Sequence, residues 1–175
     1  MASAARSLFF SDQFAISCGT VSLDIKKVKV LLILWRKTGE YMLPKGRKDL
    51  GEPLERTALR ETFEETGVQA QLFPVDIASL ATTANGKGRP KAITEPIAVS
   101  QRRASGGVLK IIFWYVAIAD STTPPEEGTQ QENEDYETVW ADFEDVSSVL
   151  SHEDDRRITR AAIEVVREGA TPACK

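Results

Sequence analysis

The sequence predicts an α+β fold, a mixed sandwich of sheet and helices. Three observations point there. Short runs of branched and aromatic residues recur between turn signals, one strongly patterned helix lies among them, and helical periodicity returns near the C-terminal end. A chain of 175 residues is long enough to bury a core, and 42% hydrophobic with 27% charged residues is ordinary for a globular protein. No repeat or linker divides it, so it reads as one domain, residues 1–175, with its core at 14–168.

Phe14 to Leu23 is apolar or small throughout and reads as a strand, followed by a turn at Ile25-Lys26-Lys27. Val28 to Trp35 is a buried strand, rich in branched residues. Gly39 punctuates a hairpin turn over Lys37–Glu40, and Tyr41–Leu43 is a short strand ended by Pro44. Lys45 to Gly51 is a polar loop. Pro53 suits a first helical turn, where its missing N–H costs nothing, and Gly67 is the C-terminal stop of a helix running from Leu54. Leu54, Ala58, Leu59 and Thr62 are its expected sheet-facing positions.

Gln71 to Leu80 reads as a strand, Ala84 to Pro90 as a loop, and Val108 to Ala119 as a long apolar strand holding Trp114 in the core. Ser121 to Asp135, rich in Pro, Gly, Gln and acids, reads as a loop. Glu137 to Ala141 is a last strand, Phe143 to Leu150 a short helix and Asp154 to Glu168 a longer one.

The chemistry lies on the central helix. Helical residues advance by about 100°, so Glu61, Glu64 and Glu65 share a face. Like charges at this spacing weaken a helix by tenths of a kcal/mol per pair, a repulsion that a cation relieves. Carboxylate oxygens are hard ligands, so the expected ion is Mg²⁺ or Mn²⁺ and not zinc. Arg60 is placed to pin one glutamate. For Glu64-Glu65 alone, a solvated acidic face is the plainer reading; the wider pattern outweighs it. Gly46, five residues, Glu52, seven residues, then Arg60-Glu61-Thr62-Phe63-Glu64-Glu65-Thr66-Gly67-Val68 is a spacing that arises by chance on the order of once in 10⁵ such chains.

This segment resembles the Nudix box, with all its fixed residues present and Thr62 as the one departure, at an apolar position. The resemblance implies a Nudix α/β/α sandwich with a mixed sheet and a loop–helix–loop motif, and a Mg²⁺-dependent hydrolase of phosphoanhydride bonds. It implies that Glu61, Glu64 and Glu65 bind the metal, that Arg60 orients a glutamate, that Glu52 braces the loop–helix geometry, and that Gly46 opens the box. It leaves the general base open among the carboxylates; Glu65 is the candidate. Family members often draw a further metal or base ligand from a loop before a late strand, which here nominates Glu134. As part of an acidic loop with Glu132 and Asp135, Glu134 has a bland reading of equal standing.

The substrate is less legible. Lys87, Arg89, Lys91, Arg102, Arg103 and Lys110 share a segment with Glu95 as its one acid, and Lys45, Arg47 and Lys48 flank the box opening, with Lys26 and Lys27 as possible neighbours. In a chain of net charge −4 this concentrates positive charge next to an acidic site, which suits a small, densely phosphorylated substrate; a solvated basic loop is the competing reading. Pro44-Lys45-Gly46 with the box looks like the diphosphoinositol polyphosphate phosphohydrolases, which also accept diadenosine polyphosphates. The spacing of Glu134 and Trp140 is similar to that of asymmetric diadenosine tetraphosphate hydrolases, and a cap-like substrate belongs to the same alternative. A nucleotide substrate calls for an aromatic clamp from Tyr115, Tyr136 or Trp140. A binding module that holds a phosphorylated ligand without cleaving it is the reading from another class.

Other classes find little support. A mildly acidic chain is no general nucleic-acid binder, and no apolar run is long enough for a bilayer. Cys18 and Cys174 make neither a disulfide framework nor a zinc site, which fits a reducing cytoplasmic or nuclear setting; a removed export signal would leave no trace. His152, the single histidine, reads as a surface or capping residue. Oligomeric state is not encoded in any visible pattern.

Overall fold

The computed structural model describes residues 6–83, 90–104 and 106–170. In chain order the elements are β1 (Phe14–Asp24), β2 (Lys29–Trp35), β3 (Glu40–Met42), β4 (Lys45–Arg47), α1 (Leu54–Thr66), β5 (Gln71–Leu72), β6 (Ala98–Arg103), β7 (Leu109–Ile118), β8 (Tyr136–Asp142), α2 (Val146–Val149) and α3 (Glu153–Ala170). The sheet runs β3-β2-β1-β7-β5, with β4 paired to β1, β6 to β7 and β8 to β2. It is mixed because β1 and β7 run parallel, Ser17 opposite Ile112 and Gly19 opposite Trp114, while the other pairs are antiparallel.

Both faces of the sheet are covered, as the expected α/β/α sandwich requires. Val21 and Leu23 of β1 and Ile112, Trp114 and Val116 of β7 pack with Ile158, Ala162, Ile163 and Val166 of α3. Residues of opposite parity, Cys18 and Tyr115, pack with Ala58 of α1. The alternation of strand side chains divides the apolar positions between these two layers.

Thr62 on α1 has a structural reason. Its hydroxyl lies 2.7 Å from that of Thr20, which lies 2.8 Å from Ser22, so a buried polar row on β1 meets the helix where a branched apolar residue was the family expectation.

Four differences from the sequence reading matter. The strand expected over Gln71–Leu80 shrinks to Gln71–Leu72, with an isolated bridge from Val75 to Ile93, because Pro74 has no N–H for the ladder. The first residues of the expected loop 45–51 form β4 against β1. The basic segment before β7 contains β6, an edge strand whose exposed side chains break the usual apolar signature. The helix expected over Phe143–Leu150 forms over Val146–Val149, while Phe143 enters the core. Among the described residues no helix is long and apolar enough to cross a membrane.

Candidate active site

The site is assembled where β4 meets α1. Helix α1 starts after Pro53, without a side-chain cap, and ends at Gly67, whose φ of 68° suits glycine. The main chain of Glu126 lies so close to Gly67 that a Cβ there would overlap it.

The glutamates do not all point the same way. Glu61 and Glu65 are buried along with Ala58 and Thr62, while Leu59 and Glu64 are half-buried. Glu61 and Glu65 are therefore enclosed, and Glu64 is the more open of the three. The physical reason is that α1 is enclosed on more than one side. β1 covers the Thr62 row through Thr20; β4 covers the glutamates, with Lys45 N–H donating to Glu65 Oε2 at 2.7 Å and Gly46 lying directly against the Glu61 carboxylate.

Arg60 organises the remainder. Its Nε and Nη2 donate to the two oxygens of Glu52 at 2.8 and 2.9 Å, a bidentate pair. Nη1 donates to Glu61 at 2.7 Å and to Glu64 at 3.0 Å, and Nη2 also reaches the Arg47 carbonyl at 3.0 Å. Glu52 further accepts from the Asp49 N–H and the Thr57 hydroxyl, so one carboxylate ties the loop to both turns of the helix start. These bonds, Arg60 foremost, hold the Glu52 carboxyl down at about 2.

Burial acts in the opposite direction on the other acids. It pushes Glu65 up to about 8 against the pull of the Lys45 charge and N–H, and neighbouring Glu134 and Glu61 push it further. Glu61 is also raised, by burial first, with Arg60 opposing and Glu64 and Glu134 adding to the rise. Glu134 therefore faces the same charges as the box glutamates although it lies on the loop before β8.

The chemistry of this donor set fits a divalent cation. Glu61, Glu64 and Glu65 lie within two turns of α1, and the first and last of them are buried at a cost that a hard cation would relieve. Among the described residues, no three acidic, histidine or cysteine side chains converge as a ready chelate, and the Arg60 guanidinium bridges Glu61 and Glu64.

The expected basic residues divide. Lys45, Arg47, Arg102 and Lys110 gather on the α3 face of the sheet; Lys110 is lowered by burial and then by the charges of Arg102, Lys45 and Arg47. Lys45 and Arg102 line a cleft of about 320 Å³ with Met42, Ser100, Trp114 and Asp155. Arg103, next along β6, points the other way, lying over Phe9 and donating to the Gly107 carbonyl. Lys48 bonds the Asp49 carbonyl within the loop, and Lys91 sits exposed beside the Val75–Ile93 bridge. Lys87 and Arg89, like Cys174, lie outside the described residues. Lys26 and Lys27 line a separate cleft with Asp24 and Asp120, at the far end of β1 from Lys45.

Cys18 is fully buried and Trp114 nearly so, as expected, but Tyr115 is buried against Cys18 and is no clamp for a base. Tyr136 and Trp140 are half-buried. His152 is part-exposed, 3.8 Å from Glu40, and faces the cleft. Sequence reasoning does not reach Asp155, which reads as one more acid in a helix's first turn. It is buried, accepts from the Leu43 N–H at 3.2 Å and is raised by burial.

A NUDIX domain model matches residues 16–162. The chain belongs to the Nudix family. Among solved Nudix structures, a NUDIX family hydrolase from Clostridium perfringens superposes with a TM-score of 0.59 at 22% identity, over 90% of this chain and 99% of that one. An Ap4A hydrolase from C. elegans, crystallised as a binary complex, gives 0.59 at 17% identity, over 89% and 98%. At these identities the likeness is one of fold. Nudix hydrolase 21, chloroplastic, of Arabidopsis thaliana is 51% identical over 47 residues; the match spans 26% of this chain and 24% of that relative.

Proposed function

We propose that this Nudix protein is a Mg²⁺- or Mn²⁺-dependent hydrolase of phosphoanhydride bonds, with diphosphoinositol polyphosphates as its first substrate class and diadenosine polyphosphates also cleaved. The observation that carries this reading is the position of Lys45. Its backbone N–H holds the Glu65 carboxylate while its side chain lines the cleft beside Arg102. Lys45 thus links the two faces of the sheet: with Arg102 it would hold a polyphosphate in the cleft, from which the anhydride would extend past β4 to reach the glutamates.

Glu61, Glu64 and Glu65, with Glu134, are the residues that would hold the cation. When bound, it supplies neutralisation of the diphosphate and acidification of a water. The protein's own part follows from its bonds. Gly46 lets the main chain approach Glu61, and the Lys45 N–H aims one oxygen of Glu65. That leaves Glu65 to take the proton from the attacking water, an in-line displacement that expels the other phosphate group.

A second reading rests on the other residues of the cleft. Met42, Ile112 and Trp114 add apolar surface, and Asp154 and Asp155 carry acceptors, features that suit a nucleobase better than another phosphate. Diadenosine tetraphosphate or a cap-like dinucleotide is then the main substrate. The deciding experiment measures phosphate release from an inositol pyrophosphate, diadenosine tetraphosphate and a cap analogue, each with Mg²⁺ and with Mn²⁺. Preference for the inositol compound supports the first reading, and preference for a dinucleotide supports the second. Metal-dependent binding of these compounds without product would show a binding module and overturn both.

A further inference from the structure

The loop before β8 carries Glu134 and docks on the last turns of α1, where its residues Thr129 and Gln130 donate to the carbonyls of Glu64 and Glu65. The structure shows a clamp made by one side chain. Gln130 Nε2 donates to the Tyr136 carbonyl at 2.8 Å and to the Glu65 carbonyl at 3.2 Å, while its Oε1 accepts from the Tyr136 N–H at 3.0 Å. The amide thus pairs with Tyr136 as a second strand would, and closes residues 131–135 into a small loop whose stem rests on α1. Inside that loop the Glu134 N–H donates to the Gln131 carbonyl at 2.9 Å and the Gln131 N–H donates to the Glu134 carboxylate at 3.1 Å, which fixes the direction of the acid.

We infer that Gln130 is a positioning residue: by joining the start of β8 to the end of α1, its side-chain amide holds the loop that carries Glu134 on the helix that carries Glu61 and Glu65. This rests on the hydrolase reading above for its consequence in catalysis, but the clamp itself does not. An amide is required because the position needs both a donor and an acceptor, and because a carboxylate would add a further negative charge beside Glu134. The neighbouring Thr129 hydroxyl donates to the Glu64 carbonyl at 2.8 Å and docks the same loop without touching the 131–135 stem, which makes it the matched control.

Two measurements test the inference. The first uses the metal-free protein and amide hydrogen exchange. Gln130→Met should speed exchange at the Gln131, Glu134 and Tyr136 amides at least tenfold relative to the rest of β8, and Thr129→Ala should not; unchanged exchange in Gln130→Met overturns the clamp. The second is a double-mutant cycle on Mn²⁺ affinity, read by the paramagnetic signal of the free ion, and on kcat for diadenosine tetraphosphate. Gln130→Met and Glu134→Gln should each lower both by about tenfold, and the double variant should fall no further than Glu134→Gln alone. Losses that multiply, or a Glu134→Gln variant indistinguishable from wild type, overturn the positioning role. If Gln130→Met does not fold, Gln130→Glu serves in its place, since it keeps the acceptor for the Tyr136 N–H and loses both donors. A protein that binds no Mn²⁺ and cleaves nothing refutes the hydrolase reading, and the exchange experiment still decides the clamp.

Discussion

Gly46 and Glu61 touch: the buried carboxylate of Glu61 occupies the space a side chain at position 46 would need. The opening glycine of the box is thus set by a contact with a charged group fifteen residues later, on a different element. Gly46→Ala forces Glu61 or β4 to move. Because a misplacement of about 1 Å at a reacting centre costs on the order of 10²-fold in rate, turnover should fall by about that factor. Circular dichroism should stay near wild type, and steady-state kinetics on the preferred anhydride would show a kcat unchanged if the contact were unimportant.

The Arg60–Glu52 pair makes a stability prediction. Arg60→Lys removes the bidentate geometry and leaves Glu52 with a single point charge. Breaking a fully buried pair costs about 3–5 kcal/mol. Arg60 is 25% exposed and Glu52 15%, so solvent screening reduces this to about 2 kcal/mol. The Glu52 carboxyl is lowered from 4.5 to about 2, so its contribution is complete above pH 4.5 and is lost as pH falls towards 2. Denaturant midpoints at pH 7 and pH 2.5 should therefore differ less in Arg60→Lys than in wild type.

Glu65 has the opposite sign. Its folded value is raised from 4.5 to about 8, so the native protein binds the proton more tightly than the unfolded chain does. In the absence of divalent cation, stability is greatest below pH 4.5 on this account and declines as pH rises through 8. Glu61 is shifted the same way. Glu65→Gln mimics the protonated form, so it should raise Tm at pH 8.5 without cation while lowering turnover on the order of 10³-fold. Addition of Mg²⁺ at pH 8.5 should raise the Tm of wild type more than that of the variant. Near wild-type activity in Glu65→Gln would remove Glu65 from the catalytic set.

Arg102 separates the two substrate readings. It faces the cleft while Arg103 faces away, so the adjacent pair supplies its own control. Arg102→Ala should raise KM for an inositol pyrophosphate about tenfold with kcat little changed, as expected for lost ground-state binding. The effect on diadenosine tetraphosphate should be smaller, and Arg103→Ala should change neither. Equal losses on both substrates would argue against a dedicated polyphosphate subsite.

Local pattern sufficed where a signal is written within one turn or one strand. The α1 helix, its Gly67 cap and the buried Trp114 strand are all properties of neighbours in sequence, and so were the family resemblance and the fold it implies. Helical spacing alone, however, places Glu61, Glu64 and Glu65 on one face without saying what covers that face. The closeness of β4 to α1, which buries Glu61 and Glu65 and leaves Glu64 half-exposed, depends on β1 pairing with residues 45–47.

The basic residues make the same point. Their sequence density does not say which of them meet, because strand parity sends Arg102 and Arg103 to opposite faces while parallel pairing of β1 and β7 brings Lys110 beside residues more than sixty positions earlier. Asp155, Gln130 and the Thr62–Thr20 contact have no mark of their own in the chain; each matters only through a partner that folding delivers. The sequence by itself determined the family and the fold class, since the box spacing and helical periodicity are local. Burial, charge neighbours and the cleft were decided by tertiary structure, because those quantities are sums over groups that are distant along the chain.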